Sequence, residues 1–149
     1  MKKILSAFVI LIWAFLIGLG LAIPPVLAAE LASDVPNNAQ VYIISPATGD
    51  IVSETFKVKF GLKGMGIAPA GIEKPNTGHH HLLVDLQELP DFTVYLPATD
   101  HIRHFGGGQT ETTLTLPPGK HQLQLLLANY AHVPHEPPII SEPITVTVR

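Results

Sequence analysis

The amino-acid sequence predicts an all-β fold, an immunoglobulin-like antiparallel β-sandwich with long loops rich in glycine and proline. Two observations carry this prediction. No segment after residue 30 repeats its apolar residues at helical spacing, and about seven short apolar or alternating runs follow one another to the C-terminus. Glycines and prolines separate these runs, as is typical of turns between short strands.

The first two predicted strands are residues 41–44 and 56–62. Residues 41–44 are β-branched or aromatic, and a turn follows them. Residues 56–62 alternate apolar and polar side chains, which is the period of a strand with one wet face. This alternation places Lys57 and Lys59 in water. The predicted core residues of this strand are Phe56, Val58, Phe60 and Leu62.

Residues 64–78 contain four glycines and two prolines, which predicts a long ordered loop. Loops of this length inside a compact domain are often functional. The loop leads into a predicted strand, residues 80–86, whose apolar run is typical of burial. A second loop region, again rich in proline and glycine, follows that strand.

Residues 112–116 and 121–127 flank a Pro117-Pro118-Gly119-Lys120 turn, and this arrangement predicts a β-hairpin. A proline-rich loop follows the hairpin. Residues 144–148 alternate in polarity and form the last predicted strand.

The first 29 residues have the order of a secretory signal peptide. Lys2 and Lys3 precede an apolar stretch over residues 4–21, and small residues at 26–29 suit signal-peptidase cleavage. This order predicts an N-terminal signal helix and a periplasmic or secreted protein. The alternative is an uncleaved anchor in the inner membrane, because residues 4–21 are about long enough to span a bilayer.

Residues 30–39 form a predicted linker, and residues 40–149 the β-sandwich domain. The chain has 12 acidic and 9 basic residues, so it lacks the positive surface of a nucleic-acid binder, and nucleic acid is not expected as a partner. It contains no cysteine, which excludes disulfides, thiolate metal sites and cysteine nucleophiles.

All eight histidines lie between residues 79 and 135, and this clustering is the main functional clue. On a strand, His79, His81 and Asp85 share one face. The two imidazoles start about 7 Å apart at the backbone and can reach one ion. Imidazole ligands suit Zn²⁺ or Cu²⁺. The candidate metal ligands are His79, His81, His101, His104, His132 and His135.

Histidines also hydrogen-bond to loop backbone, and this alternative stays open for the whole set. It is the preferred interpretation for His80 and His121. The glycine run at residues 106–108 is predicted to permit positive φ or a close backbone approach next to the histidines, since no P-loop lysine follows it. Glu111 is interpreted as an exposed strand residue, with the orientation of a histidine as the alternative.

Four motifs, in this order, resemble the bacterial domain-of-unknown-function family 4399. They are residues 76–83 (NTGHHHLL), 104–111 (HFGGGQTE), 116–125 (LPPGKHQLQL) and 132–135 (HVPH). The resemblance covers residues 40–148 and implies an exported single-domain protein with no established activity. The family pattern often has an acidic residue shortly before the histidine that matches His132. This chain has Asn129 there, which weakens any role of that acid as a ligand or an orienting group.

The leading functional prediction is an exported domain that binds a divalent transition metal, for handling, sensing or structure. The second is a cell-envelope module that binds a protein or a glycan through its loops, with structural histidines. An enzyme ranks third, and no catalytic residues are predicted, because the sequence identifies no substrate, general acid or dedicated base.

Overall fold

Residues 35–149, which the computed structural model describes, consist of β-strands, turns and loops without a helix. In chain order the strands are β1 (Gln40–Ser45), β2 (Ile51–Val52), β3 (Thr55–Lys63), β4 (Gly66–Ile67), β5 (Thr77–Val84), β6 (Ile102–His104), β7 (Glu111–Thr115), β8 (Gly119–Ala128), β9 (Pro134–Ile140) and β10 (Ile144–Val148). The all-β prediction is confirmed for this part of the chain, and the immunoglobulin-like topology stays a prediction. The predicted signal segment and the first linker residues lie outside the described residues.

The strands form two sheets. The smaller sheet has the order β1-β3-β7, and the larger has the order β2-β10-β8-β5-β4, with β6 added beside β5 and β9 beside β8. Within residues 35–149 no helix is long and apolar enough to cross a membrane. Most strand pairings are antiparallel, as predicted, and two short pairings, β2 with β10 and β4 with β5, are parallel, so the larger sheet is mixed.

The main core lies between the two sheets. On β3, Phe56, Val58 and Phe60 are buried, while the lysines between them are exposed, as their alternation predicted. Leucines and valines of β5, β8 and β10 join the same cluster from the larger sheet. Burial of this apolar surface is the main stabilising contribution that the sequence pattern supplies.

The predicted hairpin between residues 112–116 and 121–127 is wrong. β7 pairs with β3, whereas β8 pairs with β5 and β10, so the turn at residues 117–118 carries the chain from one sheet to the other. Leu114 of β7 and Leu125 of β8 belong to the same core cluster. Placing the two strands in different sheets lets their leucine faces meet across the core, which adjacent strands of one hairpin cannot do.

Two short segments pair although loops were predicted for them. β4 lies within the predicted loop 64–78, and β9 lies in the proline-rich segment after His132. β9 pairs with β8 through Pro134, Ile139 and Ile140 among the described residues. Its prolines suit an edge strand, because an edge strand does not need every backbone N–H for its ladder.

A second, smaller core covers the opposite face of the larger sheet. Leu83 of β5 and Leu126 of β8 point away from the main core and pack with Leu96, Ile102 and Ala128. Residues 85–101 supply part of this cover. His79 and His81 lie on this outer face of β5, opposite Ala128 and Leu126 of the second core.

Candidate metal centre

The alternation of β5 separates its three consecutive histidines. His80 faces the main core, where its ring centroid lies 5.1 Å from that of Phe60. His79 and His81 face the other way, and their ring centroids are 4.9 Å apart. Asp85 was predicted on the same face, and this is wrong: its φ of 52° takes it out of the strand after Val84.

β6 supplies the third imidazole. His104 stands opposite His81 in the antiparallel register of β5 and β6. Its ring centroid lies 4.9 Å from that of His79 and 5.1 Å from that of His81. One ring nitrogen from each of these three residues lies within 4.8 Å of the other two.

A tight turn after β8 brings a fourth imidazole to this face. Asn129 is buried, and its side-chain oxygen accepts hydrogen bonds from the backbone N–H groups of Ala131 (2.9 Å) and Val133 (3.1 Å). Between them, His132 adopts a left-handed backbone with φ of 65°. Its Nε2 lies 3.1 Å from Nε2 of His104. Asn129 therefore positions His132 through the backbone.

Small residues leave room for the four rings. Ala128 lies opposite His79 in the β5–β8 register, where a larger side chain would compete for the same face. At Gly106 an added Cβ would overlap the imidazole of His104 and also press on Ala70, at 3.1 Å. The prediction of a close approach beside the histidines is confirmed at Gly106, and Gly108 has the predicted positive φ, 79°.

The glycine-rich loop of residues 64–78 connects the segments that carry these histidines. The N–H of Ala70 donates to the carbonyl of Gly106 (2.8 Å), and the N–H of Gly71 donates to the carbonyl of Tyr130 (2.9 Å). One residue pair thus fixes the loop after β6 against the turn after β8. The sequence predicted an ordered loop here but not these contacts.

His79 and His81 are fully buried, at 0% exposure, and neither ring nitrogen of either residue forms a hydrogen bond within the described residues. The backbone of His79 raises the pKa of His81, as the smallest of the effects on that pKa, but it does not lie in hydrogen-bond geometry with the ring. Buried polar atoms normally have a partner, because leaving one unpaired costs about 1–3 kcal/mol. Together with His104, these histidines form a cluster that could hold a metal ion.

The site favours neutral imidazole. Burial, followed by the charges of the neighbouring histidines, lowers the pKa of His79 to about 4 and that of His81 to about 3. Burial, followed by His132, also lowers the pKa of His104. A neutral ring keeps a lone pair for a metal ion, whereas a protonated ring does not.

The other histidines have different surroundings. His80 Nδ1 lies 3.3 Å from the carbonyl oxygen of Gln109, and exposed His101 uses Nδ1 to reach the carbonyl of Val84 at 2.8 Å. His121 contacts Asp85 and the carbonyl of Pro117. His135 is buried on β9, and its Nε2 would lie 2.9 Å from a Cβ at Gly78. Neither His101 nor His135 belongs to the group of mutually close ligand atoms.

Glu111, considered above as an orienting group, is exposed and forms an ion pair with Lys57, with 2.7 Å between the carboxylate oxygen and Nζ. This exposed ion pair agrees with the interpretation of Glu111 as an exposed strand residue.

The sequence matches one known protein family. A model described as "Domain of unknown function (DUF4399)" matches residues 58–149, which include every residue of the site. The chain belongs to this family. No curated protein matches the sequence. The description of the family assigns no activity to it.

Among solved structures, the chain is similar to the endo-beta-1,4-mannanase from Thermotoga petrophila, with 19% sequence identity and a TM-score of 0.42. The match covers 74% of this DUF4399 chain and 20% of the mannanase chain. The chain therefore corresponds to about a fifth of that enzyme's length.

Proposed function

We propose that the domain binds one divalent transition metal ion, zinc or copper, through His79, His81 and His104. The observation that carries this proposal is the convergence of three ring nitrogens, two of them buried and without hydrogen bonds. In a tetrahedral zinc site, ligand nitrogens lie about 3.4 Å apart, because each Zn–N bond is about 2.0–2.1 Å. The present separations, 4.8 Å at most, are close enough for small side-chain rotations to complete the site.

The scaffolding alternative fits a different subset of the histidines. His80, His101 and His121 hydrogen-bond to backbone or to a carboxylate, as a scaffold requires. His79 and His81 make no such bonds in the described part of the chain. A structural role for all eight histidines would leave these two rings unexplained, which favours the metal.

The biological role that we propose is metal handling or sensing in the cell envelope. The support for export is the order of basic, apolar and small residues in the first 29 positions. We propose binding rather than catalysis, because the sequence identifies no substrate, general acid or dedicated base. Fractionation of cells that express the full chain, with immunodetection of its size, tests both export and cleavage.

Elemental analysis of the protein tests the metal itself. We expect near-stoichiometric zinc or copper in protein purified without a histidine tag or chelator, and loss of that metal in a His79→Ala, His81→Ala double variant. His101→Ala is the matched control, because it removes an exposed histidine outside the cluster. A folded wild-type protein that ignores added Zn²⁺ and Cu²⁺ would disprove the proposal.

A further inference from the structure

Three imidazoles do not complete the coordination of zinc or copper. These ions take at least four ligands in most protein sites, and an open position distinguishes reactive or exchangeable sites from closed structural ones. His79 and His81 are fully buried, whereas His104 is exposed. An ion held by the three would therefore have its remaining position on the solvent side, beside His104.

The charge of the site determines which ligand the open coordination position favours. Among the described residues, the group of close ligand atoms contains only histidine and no carboxylate. The electrostatic effects on His79 and His81 also come from other histidines. Three neutral ligands leave the full charge of a divalent ion next to two buried side chains, where an anion compensates it better than water does.

His132 lies at this open side without belonging to the group of three. Its ring centroid is 6.2 Å from that of His81, the longest such distance in the cluster, and 4.6 Å from that of His104. The ring is half-buried, and the turn built by Asn129 fixes its backbone. His132 is thus held beside exposed His104 at the half-buried edge of the cluster, with its ring centroid 5.0 Å from that of His79.

The contact between His104 and His132 must change if a metal ion binds Nε2 of His104. Their Nε2 atoms are 3.1 Å apart, so one donates a proton and the other accepts it. A metal ion at Nε2 of His104 would take the lone pair or displace the proton that this contact needs. Nε2 of His132 is then available to donate to whatever occupies the open position.

We propose, building on the metal site above, that the loaded centre binds one small anion, such as a carboxylate or azide, as an exogenous ligand beside His104, and that His132 orients this anion through a hydrogen bond from Nε2. His132 is in this proposal a positioning residue and not a metal ligand. The rival arrangement is a closed site in which His132 is the fourth ligand and no anion enters.

The test uses the full protein loaded with Cu²⁺, with metal content measured before any anion is added. Azide is then titrated while the visible absorption and the electron paramagnetic resonance spectrum are recorded. We expect one azide per copper with a saturable spectral change. His132→Ala should keep one copper per chain and weaken azide binding at least tenfold, whereas His132→Gln, which retains an N–H donor, should recover part of the loss. His101→Ala is the control and should match the wild type.

The outcomes separate the two proposals. Absence of copper before azide is added would overturn this inference, and a parallel loading that shows no zinc either would overturn the metal site with it. A copper-loaded wild type that does not respond to azide would overturn only the open position. Loss of copper in His132→Ala, or azide binding that appears only in that variant, would identify His132 as the fourth ligand and overturn its positioning role.

Discussion

At the C-terminal end of β5, His121 has a partner for each ring nitrogen, whereas at the N-terminal end His79 and His81 have none within the described residues. His121 Nδ1 lies 2.6 Å from Asp85 Oδ2, and its Nε2 lies 2.8 Å from the carbonyl oxygen of Pro117. Both partners accept hydrogen bonds, so the protonated ring satisfies both. The hydrogen bond with Asp85 raises the pKa of His121.

This difference separates two uses of histidine on one strand and its neighbours. Asp85 also accepts from the N–H of Gln122 at 2.7 Å, so the His121–Asp85 pair joins the end of β5 to the start of β8. In the cluster around His79, burial and the neighbouring histidines instead lower the pKa of His79 and His81, which favours neutral rings. One end of β5 favours a charged histidine, and the other favours neutral imidazoles.

The largest expected effect is acid destabilisation of the metal-free protein through the buried cluster. The folded-state pKa values of His79 and His81 are lowered to about 4 and about 3 from 6.5. The unfolded chain therefore binds protons first, and stability is lost as pH falls from 6.5 towards 3. For His79 alone this corresponds to about 3 kcal/mol.

Urea unfolding at pH 7 and pH 4 measures this loss. The difference in the free energy of unfolding between pH 7 and pH 4 should shrink in a His79→Leu, His81→Leu variant. It should persist in His121→Gln, which serves as the control. An unchanged acid dependence in the leucine variant would contradict the neutral state assigned to the cluster.

Added metal should stabilise the protein through the same end of β5. At a free metal concentration of 100 Kd we expect a gain of about 2.7 kcal/mol, because the ion binds only the folded state. His121→Gln should show the full gain, and His79→Ala with His81→Ala should show none. Equal gains in all three proteins, measured by urea unfolding with and without Zn²⁺, would mean that the ion binds elsewhere.

The His121–Asp85 pair, at the C-terminal end of β5, should instead lose its contribution to stability at alkaline pH. Because the folded pKa of His121 is raised, its contribution is complete below pH 6.5 and is lost as pH rises through the raised pKa. Asp85→Asn should cost about 1–3 kcal/mol at pH 6 by weakening the charged pair, and less at pH 9. Metal affinity should not change. A variant equally destabilised at both pH values would show that Asp85 acts through its backbone contact alone.

The smallest expected effect is a loss of metal affinity when a side chain is added at Gly106, next to the ring of His104. Gly106→Ala should weaken metal binding about tenfold, or about 1.4 kcal/mol, by displacing the imidazole that a Cβ would overlap. Gly107→Ala is the control, because its Cβ would meet only the side chain of Gln109, at 3.1–3.3 Å. Metal titration monitored by calorimetry should distinguish the two, and similar affinities would show that His104 can move without loss.

Part of this site was predictable from the sequence. The i, i+2 spacing of His79 and His81 places them on one strand face, and the structure brings His104 and His132 to that face as well. The choice between these two and His101 or His135 was not predictable. Each belongs to a His-x-x-His pair, and only the β5–β6 register and the turn at Asn129 select one member of each pair.

By itself, the sequence determined the all-β character of the described domain, the buried face of β3 and the common face of His79 and His81, because these depend on a period of two along the chain. Only the tertiary structure decided which sheet β8 joins, the separation of Asp85 from the cluster and the approach of His132 to His104. These features depend on contacts between residues distant in sequence, such as the 3.1 Å contact between His104 and His132, and no local period encodes them.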